Sequence, residues 1–254
     1  MKSNILPIYF RELKSIFYSP VAYLVLFAFY MLSGYFYASI VTGYANYSMM
    51  AASRGGGDMK LIDYLFAPFL GNVAVTFIFI LPLVSMRAFS EEKKSGTIET
   101  LFTLPFSDLD ILLGKYFSAL TLLGAMLLPV FLFPLLLADK ASLHWPAILS
   151  GDLGLYLVGA TFIAVGILTS AMTENQVVSA ALGFGAILLL FVLGWMESSA
   201  SGFFKDLLQN LSIMSHFQDM SKGVINLKDV TYFALFSGFC LFATLRILES
   251  KKWR

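Results

Sequence analysis

The sequence predicts an all-α, polytopic membrane protein. Six transmembrane helices are expected, with an interfacial amphipathic helix before the first and a short coupling helix between the second and third. Three observations lead there. Of the 254 residues, 58% are hydrophobic and 13% charged, against roughly 45–50% and about 25% in soluble domains; the mean hydropathy is +0.79. Six apolar runs each reach the length of about 20 residues that a hydrocarbon core about 30 Å thick demands of a helix. The charges collect between those runs, and in lipid only a helix or a closed barrel satisfies every backbone polar group.

The elements follow in chain order. Residues 1–19 are expected to form the first element, within "NILPIYFRELKSIFYSP" (4–20). Tyr9, Phe10, Leu13, Ile16 and Phe17 recur at helical spacing, with Arg11, Glu12, Lys14 and Ser15 on the other side. Pro7 suits a first turn and Pro20 a break, so this helix is expected to lie in the membrane interface. The spans are read at 20–42, 65–87, 114–138, 153–173, 177–197 and 230–248. The first is too long for a signal peptide and lacks a cleavage site, so it reads as a retained span. Charges touch the spans only near their ends, at Arg87, Lys115, Glu197 and Arg246.

Six spans place both termini on one side. If that side is the cytoplasm, the inside segments hold Lys2, Arg11, Lys14, Arg87, Lys93, Lys94, Lys115, Arg246, Lys251, Lys252 and Arg254; the outside ones hold Arg54, Lys60, Lys140, Lys205, Lys222 and Lys228. The excess of cationic residues close to the spans marks the cytoplasmic face. The outside segments are then 43–64, with the turn "SRGGGD"; 139–152; and 198–229, where Phe203, Phe204, Leu207, Leu208 and Leu211 form a stripe suited to the membrane surface.

The densest charge cluster, Glu91–Lys94, opens the inside segment 88–113. Gly96 can end the helix that leaves span two, and Thr97 can cap the next. Glu99 then lies in a first turn, where the helix dipole favours negative charge. Ile98, Leu101 and Phe102 give that helix an apolar face, and Leu104-Pro105 stops it. Ser107 or Asp108 can cap the helix leading into span three. From the residues alone, a solvated charged loop remains the competing reading.

Several function classes drop out. Lys+Arg number 17 and Asp+Glu 16, so no basic footprint points to nucleic acid. Cys240 stands alone in an apolar run, and His144 and His216 lie far apart, which offers no metal or cofactor set. No ionisable group sits mid-span, where a proton- or ion-coupled carrier would need one. HExxH is absent. A phosphate loop needs GxxxxGK[ST], but around Gly114-Lys115 the positions of the first Gly and the Ser/Thr hold Leu109 and Tyr116. Energy for transport must enter from a partner, and the chain is not expected to be an enzyme.

"MRAFSEEKKSGTIETLFTLPFSDLDILLGKYF" resembles the signature region of the type 2 ABC-transporter permeases. The matching features are Met86-Arg87, the run Glu91–Lys94, Gly96-Thr97-Ile98-Glu99, Thr103-Leu104-Pro105 and Gly114-Lys115. "SAMTENQVVSAAL" (170–182) and "SHFQDMSKGVINLKDVTYF" (215–233) resemble two further segments of that family. The nearest branch is the gliding-motility and nitrous-oxide-reductase-maturation permeases. The resemblance implies that residues 1–254 form one permease domain, a half-transporter paired with a second copy or a paralogue. Two ABC ATPase subunits, which bind ATP and Mg²⁺, would dock from the cytoplasm. The helix around Gly96–Leu104 would seat in an ATPase groove, with Arg87, Glu91 and Glu92 fixing its exit from span two. Glu174-Asn175-Gln176 would form a second contact. An alternative is a non-transporting anchor that passes ATPase-driven motion to a large extracytoplasmic auxiliary protein. In span five, Ser179 with Gly183 and Ala181 with Gly185 are four apart, which suits a dimer contact or packing within one subunit.

Overall fold

A computed structural model describes residues 5–53, 62–97, 99, 106–138, 143–197 and 201–251. Among them every regular element is helical. Helix α1 spans Ile5–Tyr18 and α2 spans Pro20–Ser53. A π-type turn, Ile62–Phe66, leads into α3 (Ala67–Ser85), followed after Met86 by α4 (Arg87–Lys94). Helix α5 (Asp108–Leu132) tightens into a 3-10 turn, Phe133–Leu137. Then come α6 (Trp145–Met172), α7 (Gln176–Glu197), α8 (Phe203–Leu211), α9 (Ile213–Ser221) and α10 (Leu227–Lys251). Six helical stretches are long and apolar enough to cross a membrane: α2, α3 together with the turn before it and α4 after it, α5, α6, α7 and α10. The chain is therefore an all-α, multi-pass membrane protein.

The span boundaries differ from those expected, mostly because helices continue beyond the lipid. Helix α2 does not end at residue 42 but runs to Ser53. At 1.5 Å per residue it is about 51 Å long, well beyond a hydrocarbon core of about 30 Å. Of the "SRGGGD" stretch, everything after Ser53 lies outside the described residues. Helix α6 begins at Trp145, where Pro146 suits a first turn. That start brings Asp152, expected in a loop, inside the helix.

Helix α6 is the central post. Its apolar stretch is 78% buried, against 61% for α3 and 17–28% for the other four spans. It packs against α3, α5, α7, α9 and α10. Small residues make this possible, since they let neighbouring helices approach without a hydrophobic drive between them: a Cβ on Gly159 would lie 2.7 Å from Leu123 of α5, and one on Gly154 would lie 2.9 Å from Met220 of α9. Helix α2 packs more loosely, through Phe29 stacked on Phe77 and Tyr37 stacked on Phe133. The hydroxyl of Tyr37 donates to Phe133 O at 2.8 Å, and that of Tyr30 to Ala125 O at 2.7 Å.

The small-residue rows of α7 separate. Ser179 is buried, and a Cβ on Gly183 would meet Thr169 Oγ1 at 3.1 Å, so that row packs within the chain. Ala181 is exposed, and a Cβ on Gly185 would meet nothing within 4 Å. The segment after α7 also divides. In α8, Phe204 and Leu211 face outward. In α9, Ile213, His216, Phe217 and Met220 are buried, and Ser150 Oγ of α6 donates to Met220 O at 3.0 Å.

Candidate functional site: the junction of α1, α4, α5 and the α6–α7 turn

Helix α3 does not run straight into α4. Pro82 removes one helical N–H, and Met86 forms a turn between the two helices. The N–H groups of Phe89 and Ser90 near the start of α4 need acceptors. Ser170, fully buried near the end of α6, supplies one: its Oγ accepts from both N–H groups at 3.0 Å and donates to Met86 O at 2.8 Å. A hydroxyl from a helix about 80 residues away in sequence thus acts as the cap of α4. The Nζ of Lys93 donates to Ala171 O, one residue further.

Those contacts place α4 beside the turn Thr173–Asn175. Thr173 Oγ1 accepts from Asn175 N at 3.2 Å, and Asn175 Oδ1 accepts from Val177 N at 2.9 Å. Asn175 is thus the N-cap of α7. Glu174 is exposed and Gln176 half-buried.

Helix α4 ends at Ser95, and Gly96 follows with φ +71°. This left-handed conformation is the usual helix stop and favours glycine. Thr97 Oγ1 lies 2.8 Å from Ser95 Oγ and 3.4 Å from Glu92 O. Thr97 and Glu99 are helical and exposed. Ile98 and residues 100–105, including Leu101, Phe102, Leu104 and Pro105, lie outside the described residues. The chain resumes with a capping box: Ser107 Oγ accepts from Asp110 N at 3.1 Å, and Asp110 Oδ2 accepts from Ser107 N at 3.4 Å.

The charges of α4 are divided. Glu92 turns inward, and its Oε1 lies 2.7 Å from Lys115 Nζ of α5 and 3.5 Å from Arg11 Nη2 of α1. Glu12 Oε2 lies 3.3 Å from Lys115 and Glu12 Oε1 2.6 Å from Arg11. The Lys115 side chain is 4% exposed and sits over the Phe89 ring at 5.3 Å. Two cations and two carboxylates therefore join three helices. Burial opposes ionisation of Glu12, but Lys115 and Arg11 outweigh it and hold the carboxyl below its ordinary 4.5. The sequence sets Arg11 and Glu12 opposite the apolar stripe of α1; there Arg11 is exposed, while Glu12 is largely withdrawn from solvent by its ion pairs. Helix α1 is docked on α5: Ile8 is buried, and a Cβ on Gly114 would lie 2.7 Å from Ile8 Cγ2. The Gly-Lys pair that fails as a phosphate loop has another task here. Gly114 admits α1, and Lys115 pairs with it.

Arg87 and Glu91 stand outside this ion-pair network. Both are exposed, and among the described residues neither side chain has a hydrogen-bond or ion-pair partner. They line, with Arg11, Glu12, Glu92 and Lys115, a cavity of about 650 Å³ bounded by α1, the start of α2, the end of α3, α4 and α5.

At the other end of the spans, sequence reasoning missed a pair. His216, 5% exposed, has Nδ1 2.7 Å from Asp229 Oδ1 and Nε2 3.3 Å from Asn210 O, and it stacks on Tyr232. The signal lay in the motif of residues 215–233, which contains both residues. No group of three His, Cys, Asp or Glu among the described residues could hold a metal.

The profile of the family described as ABC-2 family transporter protein matches residues 7–248, nearly the whole chain. The chain belongs to that family. It is thus the transmembrane subunit of an ABC transporter, of a family whose members are generally non-catalytic and associate with an ABC ATPase and the membrane. No curated protein gives a significant match. In this ABC-2 subunit, residues from all three motifs noted in the sequence contact a partner across the fold or within their own segment. Met86 and Lys93 of the first motif meet Ser170 and Ala171 of the second, and His216 and Asp229 of the third meet each other.

Proposed function

We propose that this ABC-2 subunit belongs to an exporter-type transporter of the bacterial inner membrane, and that motion from a partner ATPase enters through α4 and residues 96–105. Both termini, α4 and the α6–α7 turn then face the cytoplasm, in line with the distribution of Lys and Arg. Two ATPase subunits hold ATP and Mg²⁺, and a second permease copy or a paralogue completes the pore. The branch with the gliding-motility and nitrous-oxide-reductase-maturation permeases remains our reading on the three motifs.

One observation carries the proposal. Helix α4 is fastened both to α1 and α5 through Glu92 and to the end of α6 through Ser170 and Lys93. A displacement of Gly96, Thr97 and Glu99 therefore reaches α3, α5 and α6 together, because packed cores transmit strain. In this reading Glu174, Asn175 and Gln176 form a second contact for the ATPase, and Arg87 and Glu91, with Glu92, fix the exit of α4 from α3.

The test is co-purification of the partner ATPase with variants of the full chain. Replacing Gly96–Glu99 by alanine, or Glu91 and Glu92 by lysine, is expected to release the ATPase or abolish its stimulation while membrane insertion persists. Unchanged binding together with unchanged stimulation would sink the proposal.

A further inference from the structure

We infer that the cavity between α1 and α4 binds a phospholipid headgroup that joins a phosphate to a primary amine. The inference uses residues of the same junction but does not depend on ATPase coupling.

Charge selects the class of headgroup. The cavity is lined by three cations, Arg11, Arg87 and Lys115, and three carboxylates, Glu12, Glu91 and Glu92. Arg11, Glu12, Glu92 and Lys115 neutralise one another at 2.6–3.5 Å. That leaves one cation and one carboxylate, Arg87 and Glu91, one helical turn apart on α4. A guanidinium is suited to phosphate oxygens, and a carboxylate accepts N–H groups from an ammonium. A zwitterion answers both. A headgroup with net negative charge would leave Glu91 opposed, and a net cation would leave Arg87 opposed.

The amine is primary. Quaternary ammonium groups are recognised by aromatic faces, and among the described residues that line the cavity none is aromatic, although aromatics make up 16% of the chain.

The cavity's shape suits a lipid and not a free solute. Its ionic mouth gives way to an apolar wall that includes Val21, Val25, Leu83, Val84 and Leu122. From Lys115 to Leu122 that wall extends about 10 Å along α5. An acyl chain fits beside such a wall, and Val21 is itself partly exposed at 37%.

The test uses the full chain without its ATPase, so that loss of coupling and loss of lipid binding are read separately. The protein is reconstituted in bilayers of equimolar phosphatidylethanolamine, phosphatidylcholine and phosphatidylglycerol, and the lipids retained after detergent extraction are counted by native mass spectrometry. Phosphatidylethanolamine is expected to be retained about tenfold over phosphatidylcholine, the ratio that one charge-assisted hydrogen bond provides. Glu91→Ala, at an exposed position, should abolish that preference. Arg87→Ala should lower retention of all three lipids, and Val21→Trp should do so by narrowing the wall. Equal retention of the ethanolamine and choline lipids, a preference for the glycerol lipid, or an unchanged preference in Glu91→Ala would each overturn the inference.

Discussion

Lys115 carries more of the junction than any other side chain. It touches Glu12 and Glu92 from two different helices while being almost fully buried. Removing one partner of a buried ion pair leaves the others uncompensated. Lys115→Met should therefore cost about 3 kcal/mol, near the low end for such pairs because Arg11 still serves both carboxylates, and thermal unfolding in detergent would measure it. Glu12 adds a pH dependence of definite sign. Its carboxyl is held below 4.5 by Lys115 and Arg11, so its contribution is complete above that value and is lost as pH falls through the depressed one. Amide-exchange protection of α1 should drop there in the wild type, and Glu12→Gln should remove the pH step. Ser170 is the other decisive residue. Ser170→Ala deprives two buried N–H groups of their acceptor and should cost about 2 kcal/mol, with the loss of exchange protection centred on Phe89 and Ser90.

At the scale of elements, α4 is a separate helix because three local features coincide. Pro82 weakens the end of α3, Met86 turns, and Gly96 stops α4 with a positive φ. Replacing Gly96 by alanine imposes the left-handed strain of about 1 kcal/mol on a residue with a Cβ, and should lengthen α4 at the expense of the turn. The helical content of residues 95–99 by solution NMR would show it. Much of this was legible in advance, since a glycine stop and a Ser107 cap depend only on neighbours in sequence. The contacts of Thr97 and Asn175 were less so. Thr97 reaches back to Ser95 and Glu92, contacts that its spacing in the sequence does not announce. Asn175 caps α7 through its side-chain oxygen.

The whole molecule is a set of helices around α6, with the α1/α4 junction at one end and the α8–α9 segment at the other. Single cysteines at the exposed positions Ser95 and Ser48 should label from opposite sides of the membrane. Labelling from the same side would overturn the six-span topology. The centrality of α6 was not legible, because all six runs are similarly apolar and hydropathy does not distinguish lipid from protein as the neighbour. Gly154, Gly159 and Gly166 admit the neighbours of α6, but which neighbours they meet is decided by the packing.

The sequence by itself determined that the chain is helical, that six of its helices can span a bilayer, that an amphipathic helix precedes them, and where α4 stops and α5 starts. Each of these rests on composition or on interactions within a few residues, so no knowledge of the fold is needed. The tertiary structure alone decided that Glu12 faces Lys115 and not solvent, that Ser170 caps a helix 80 residues away, and that His216 meets Asp229. An apolar face and a buried ionic face are both compatible with the periodicity of α1. The choice falls to the partner helix, where Gly114 leaves room for Ile8 and Lys115 offers the charge that makes burying Glu12 favourable.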